Sequence, residues 1–207
     1  MPTTPTPKYI DTHAHLYSPK FEADREEMLA RAQAVCHKVL LPNIDQASIP
    51  GMLALAEAHP GFCYPMMGLH PTHVGEDWPV ALEAIGQALH EAPDRYCAVG
   101  EAGIDLYWDE SRLKEQQAAL QEQFAWAKAL GKPIVLHVRD SFPEVLAALA
   151  SAQDGSLRGV VHCFTGDAQQ AHRITEELGF HLGIGGVLTF KNGGLPPALM
   201  DVDPQWL

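Results

Sequence analysis

Asp11-Thr12-His13-Ala14-His15 sets two histidines one residue apart at the end of a short strand-like run, Tyr9-Ile10. Side chains alternate along a strand, so His13 and His15 project to the same side. Two imidazoles placed that way can share one divalent cation. Single polar residues then interrupt later apolar runs: His70 in Gly68-Leu69-His70-Pro71, Glu101 in Gly100-Glu101-Ala102-Gly103, His137 in Leu136-His137-Val138-Arg139, and His162 in Val161-His162-Cys163-Phe164. An unpaired buried polar group costs about 1–3 kcal/mol and an unpaired charge more. A lone case would read as a hydrogen-bonded core histidine; recurrence at one end of five strands asks for a common site. The remaining histidines, His37, His59, His73, His90, His172 and His181, fall at helix ends, turns or strand starts and read as surface or structural.

These residues need elements to hold them. Strand-like runs fall at about 8–16, 37–44, 62–70, 96–104, 133–139, 159–164 and 181–190, with helical patterns in most of the gaps. The clearest helix follows Ser111, a good N-cap, and carries Leu113, Leu120, Phe124, Ala127 and Leu130 on one face before Gly131 and Pro133 stop it. Other helices are expected over Phe21–Val35, Ile49–His59, Pro79–Glu91, Phe142–Gln153 and Ala168–Leu178. Alternating strands and helices predict repeated βα units on a parallel sheet. In a parallel α/β barrel the C-terminal strand ends meet on one rim, where active sites are built.

Composition narrows the classes. A chain of 207 residues, 46% hydrophobic and 19% charged, can bury one substantial core, so residues 1–207 are expected to form a single domain, with residues 1–7 a flexible tail. Cys36, Cys63, Cys97 and Cys163 form no Cys-x-x-Cys pair and read as reduced, buried thiols of a cytoplasmic protein. No stretch reaches membrane-spanning length, so no membrane partner is expected. A net charge of −12 without a basic run excludes a protein that grips nucleic acid through a broad basic face. Any phosphodiester substrate must be drawn by bound cations and a few placed residues.

In order, Ile-Asp-Thr-His-Ala-His-Leu, Gly-Leu-His-Pro, Val-Gly-Glu-Ala-Gly-Ile-Asp-Leu-Tyr, Lys-Pro-Ile-Val-Leu-His-Val-Arg-Asp, His-Cys-Phe-Thr-Gly and Gly-Gly-Val-Leu-Thr-Phe-Lys-Asn resemble the motifs of the TatD family of metal-dependent hydrolases, in the amidohydrolase-like barrel superfamily. The matching set runs from residue 9 to about residue 192. The resemblance implies an α/β fold of the TIM-like (β/α) barrel type with two divalent ions at the C-terminal rim, of Zn, Mn, Ni or Mg. By the same resemblance His13 and His15 bind one ion, Glu101 bridges both, and His137 and His162 bind the second. His70 faces the substrate, with Arg139 and Lys191 as phosphate neighbours. Histidine-rich ligation favours a transition metal over Mg. A paired metal site of this kind activates water for phosphodiester hydrolysis. The implied activity is that of a deoxyribonuclease or related phosphodiesterase acting on DNA, as a monomer at full length.

One departure stands out. The family pattern continues into an eighth strand whose Glu-Thr-Asp motif supplies an aspartate to the first metal, whereas here the sequence reads Asp201-Val202-Asp203-Pro204-Gln205-Trp206-Leu207. Seven βα units, a weakened first metal site and low activity are therefore expected for a truncated chain. Two other readings share these residues: a dinuclear amide or lactone hydrolase of the same superfamily, and a catalytically impaired metal-binding fragment or scaffold.

Overall fold

A computed structural model describes residues 8–207, so the tail expected at residues 1–7 lies outside the described residues. Among the described residues, strands β1 (Tyr9–Asp11), β2 (Cys36–Leu41), β3 (Cys63–Pro65), β4 (Val99–Asp105), β5 (Ile134–Arg139), β6 (Gly159–Val161) and β7 (His181–Leu182) alternate with helices. The helices are α1 (Arg25–Val35), α2 (Ile49–Ala58), α3 (Trp78–Glu91), α4 (Leu113–Leu130), α5 (Phe142–Ala152), α6 (Ala168–His172) and α7 (Leu195–Leu199). Every strand pairing is parallel, which is the βα order expected of a TIM-like barrel.

The strands form two runs, β1-β2-β3 and β4-β5-β6-β7. They are joined just past β3: Met67 bridges Val99, the Met67 N–H donates to Ala98 O at 3.2 Å, and the Gly100 N–H donates to Met67 O at 2.9 Å. Fully buried Asn43 adds a second tie, donating its N–H to Gly100 O and accepting from the Glu101 N–H, each at 3.1 Å. The segment carrying Glu101 is thus fixed from both sides.

The strands are shorter than the apolar runs predicted. β1 stops at Asp11 because its carboxylate accepts the His13 N–H at 3.1 Å, a side-chain turn that replaces the ladder bond. Parallel contact resumes only at Ala14, whose N–H reaches Leu40 O at 3.1 Å. His70 does not end β3; it caps a short 3-10 turn, Pro71–His73. Nor is Ser111 the cap of α4. Asp109 captures both the Ser111 N–H and its hydroxyl, at 2.8 and 2.6 Å, and the chain makes a 3-10 turn, Glu110–Arg112, before the helix begins. The predicted helix over Ala168–Leu178 is α6 followed by a π-helical turn, Arg173–Glu177.

Helix α4 shows how the outer layer packs. Leu120, Phe124 and Ala127 are buried on its inner face, as their spacing predicts. Trp126 lies against α3 at Gly86, where a Cβ would come within 2.7 Å of the indole, so the crossing needs glycine. A similar demand operates between β4 and β5. Gly103 pairs with His137 at a φ of +148°, and a Cβ there would sit 2.0 Å from His137 O.

Candidate metal centre

Glu101 is the hub. It sits within β4, 2% exposed, on the same strand face as Gly103 and Asp105. Four imidazoles converge on its carboxylate. His13 Nε2 lies 3.1 Å from Oε2, His70 Nε2 3.7 Å and His15 Nε2 3.8 Å, while His137 Nδ1 lies 3.1 Å from Oε1. His162, directly after β6, stacks its ring on His13 with centroids 3.4 Å apart. All six residues line one cavity of about 680 Å³, together with Tyr107 and Arg139. Two sets of donor atoms, from His13, His15 and Glu101 and from His70, Glu101 and His137, each lie within 4.8 Å of one another.

Hydrogen bonds at the far side of three of the rings, His15, His137 and His70, set what each presents to the cluster. Tyr17 donates its hydroxyl proton to Pro42 O at 2.6 Å, so its oxygen accepts from His15 Nδ1 at 3.0 Å, and His15 Nε2 is left with its lone pair toward Glu101. On His137, Nε2 lies 2.8 Å from Asp105 Oδ2, a carboxylate that can only accept, so the neutral ring keeps its proton on Nε2 and Nδ1 is the nitrogen able to ligate. His70 is the reverse case. The Thr72 N–H donates to its Nδ1 at 3.2 Å, so the neutral ring carries its proton on Nε2, aimed at the cluster. In their neutral forms His15 and His137 present lone pairs and His70 a donor; a second proton on His137 would sit on Nδ1 and bond Glu101 Oε1.

Protonation follows from burial and partners. Desolvation pushes His70 down to about 3 and His162 down to about 4, and lowers His15, keeping these rings neutral. Burial alone would raise Glu101, but hydrogen bonds from His13 and His137 outweigh it and hold the carboxyl well below its ordinary value. Burial likewise opposes charging of His137, yet its bonds to Glu101 and Asp105 raise it. Imidazoles kept neutral by burial, with His137 the ring that would give up a proton on binding, around an ionised carboxylate are the donor set a divalent ion takes. His13 Nδ1 is buried with no hydrogen-bond partner among the described residues, one polar atom still to be satisfied. The residues fit a metal. Asp140 and Cys163, the non-glycine residues with positive φ among those described, at 52° and 48°, both border this cavity.

Of the residues singled out in the sequence, His13, His15, His70, Glu101, His137, His162 and Arg139 come together. Lys191 does not; it lies on an exposed turn and is not part of the cavity wall. Asp105 does not stand out in the sequence, although it lies four residues from Glu101 and so on the same face of β4. Nor do two buried glutamines of α4. Gln116 exchanges hydrogen bonds with the Asp105 backbone, at 2.8 and 3.1 Å, and Gln123 with that of Leu69, at 2.8 and 3.3 Å. Both sit on the face read only as apolar, and a polar residue at a core position of a helix was the signal available. The four cysteines are free thiols, but only Cys63 is buried, Cys36, Cys97 and Cys163 being half-buried; desolvation pushes Cys63 and Cys97 up to about 11.

The chain is similar to known proteins in sequence and in fold. The family described as TatD related DNase matches residues 10–200. Over 184 residues the chain is 39% identical to the uncharacterized metal-dependent hydrolase YjjV of Escherichia coli K12, covering 88% of this chain and 70% of the relative. It is 33% identical over 191 residues to the 3'-5' ssDNA/RNA exonuclease TatD of Pectobacterium atrosepticum, covering 90% and 71%. The solved structure of the Escherichia coli TatD homolog YjjV superposes with a TM-score of 0.85 at 34% identity, over 94% of this chain and 75% of that one.

Proposed function

The chain belongs to the TatD family of metal-dependent hydrolases, and from that premise we propose that it cleaves phosphodiester bonds of single-stranded nucleic acid, DNA first, at the Glu101 cluster. The observation that carries the reading is the convergence of four imidazoles on one buried carboxylate. In this proposal His13 and His15 would hold one divalent ion and His137 and His162 a second, with Glu101 the carboxylate available to both. When bound, ions held this way act as Lewis acids and activate water for attack on a phosphodiester. Zn, Mn and Ni suit the imidazole-rich set better than Mg. That nuclease-named relatives share the family supports the choice of substrate.

The chain's own residues then divide the work. Asp105 accepts a hydrogen bond from the His137 Nε2–H and so keeps Nδ1 available, as Tyr17 does for His15 at the opposite nitrogen. His70, fixed by Thr72 with its proton on Nε2, donates a hydrogen bond to a phosphate oxygen as charge builds there. Arg139 places a permanent cation at the cavity wall. Lys191 would need its turn to move before it could reach the same phosphate.

The test is direct. Protein stripped with a chelator and reloaded with single metals is assayed on a short single-stranded oligonucleotide, beside Glu101→Gln. Cleavage that depends on metal and disappears in the variant is expected. Metal-independent cleavage, or preferential turnover of lactones or cyclic amides, would replace the proposal with another hydrolase reading.

A further inference from the structure

Two large aromatic residues stand in solvent immediately after β4. Tyr107 is 53% exposed and Trp108 69%. Scattered exposed apolar residues need no explanation, but this pair is organised. The rings meet edge to face with centroids 4.8 Å apart. The Arg139 guanidinium, from the end of β5, lies over the Tyr107 ring with Cζ 3.7 Å from its centroid and 5.5 Å from that of Trp108. The turn is also tied down, because Asp105 Oδ1 accepts the N–H groups of Tyr107 and Trp108 at 3.1 and 3.3 Å. The other oxygen of that carboxylate holds His137. One side chain therefore anchors both the aromatic turn and a member of the candidate metal centre, and Tyr107 and Arg139 border the same cavity.

Resting on the phosphodiesterase reading above, we propose that Tyr107, Trp108 and Arg139 form a stacking platform for a nucleobase adjoining the phosphodiester at the Glu101 cluster. The charge balance argues for it. With 14 Lys and Arg against 26 Asp and Glu, the chain is poorly equipped to gather a polyanion through its backbone. Stacking on aromatic rings and on a guanidinium plane needs no net charge and accepts any base, since every base offers a π-face. The platform also selects strandedness. A base in a duplex already has both faces covered, whereas a single strand can turn one onto Trp108.

Metal-loaded wild type, Trp108→Ala and Trp108→Phe are compared on a short oligothymidylate and on the same backbone built with abasic sites. Wild type is expected to show a KM for the base-bearing strand lower by about fivefold to a hundredfold. Trp108→Ala should bring that ratio close to unity, and Trp108→Phe should restore most of it. An unchanged ratio in Trp108→Ala, with both strands still cleaved, overturns the platform and leaves the phosphodiesterase reading standing. Failure of wild type to cleave either strand removes both.

Discussion

Two cavities of similar size lie along the same strands and could hardly differ more in chemistry. The rim cavity, about 680 Å³, is walled by imidazoles and a carboxylate; the other, about 780 Å³, is walled by Leu40, Met66, Ala98, Val135, Val160 and Leu182 among others. On β5, Val135 faces the second cavity and His137 the first, two residues further on; Val160 and His162 repeat the pattern. Side chains two apart share a face, so one strand face changes from apolar to ligating within a single step. Space is common to both cavities. What separates them is where polar atoms are placed and what satisfies them.

The largest effect expected follows from the hub. Glu101→Gln keeps the volume and removes the charge on which four imidazoles converge. Loss of a residue outside the ligand shell typically costs about 10–100-fold in metal affinity or activity, and replacement of the shared carboxylate should exceed that. Metal content by elemental analysis, together with turnover of a single-stranded oligonucleotide, reads both consequences. If the variant kept its metal and its rate, the rim would be no more a chemical site than the apolar cavity is.

Asp105→Asn should cost less, about 10–100-fold in metal affinity. The asparagine oxygen would stay with the N–H groups of Tyr107 and Trp108 and turn its NH₂ toward His137. A donor facing Nε2 forces the ring proton onto Nδ1, the nitrogen that faces Glu101. Calorimetric titration with Zn or Mn measures the loss. Little change in thermal stability beside a clear loss of affinity would mark a positioning role.

Met66→Ala probes the other side of the comparison. Met66 is 1% exposed and packs with Ala98 and Val135. Truncating a buried methionine costs about 2–5 kcal/mol, and the low end is expected because the site already borders open volume. Urea unfolding should show the loss with metal affinity unchanged. A parallel fall in affinity would mean that the two halves of the strands are coupled.

How much of this was legible in the sequence also divides along the barrel. His13 and His15 are legible as a His-x-His pair, and His70, Glu101, His137 and His162 because each interrupts an apolar run; the βα rhythm points them to one end of the strands. The boundaries did not announce themselves. Asp11 and Asp109 cut or delayed elements through side-chain turns that compete with the ladder and the helix, a local choice that hydrophobic periodicity does not encode. Asp105, Gln116 and Gln123 were missed for another reason. Their partners are a ring nitrogen or main-chain groups of distant segments, 54 residues away for Gln123 and Leu69, and only the folded chain brings them together. Lys191 looked basic and near the right motif, yet its turn leaves it outside the cavity.

Acidification should separate the two cavities by the smallest margin. Without a metal, burial pushes His70 down to about 3 and His162 down to about 4, against about 6.5 for a histidine in an unfolded chain. Between those limits the unfolded chain binds protons that the folded chain refuses, so stability falls as pH falls through that window. His15, also lowered, acts in the same sense, and Glu101 joins below the ordinary carboxylate value. His137 opposes them. Its raised value gives a contribution that is present below about 6.5 and lost as pH rises through the folded value. Three lowered histidines against one raised favour a net loss, so the melting temperature of chelator-treated protein should drop between about pH 7 and about pH 5. The apolar cavity has no comparable cluster of titrating rings, and Met66→Ala should therefore lower the whole curve without changing its slope. A flat profile in the parent protein would mean that the rim histidines are as solvated folded as unfolded, and the contrast between the cavities would then rest on geometry alone.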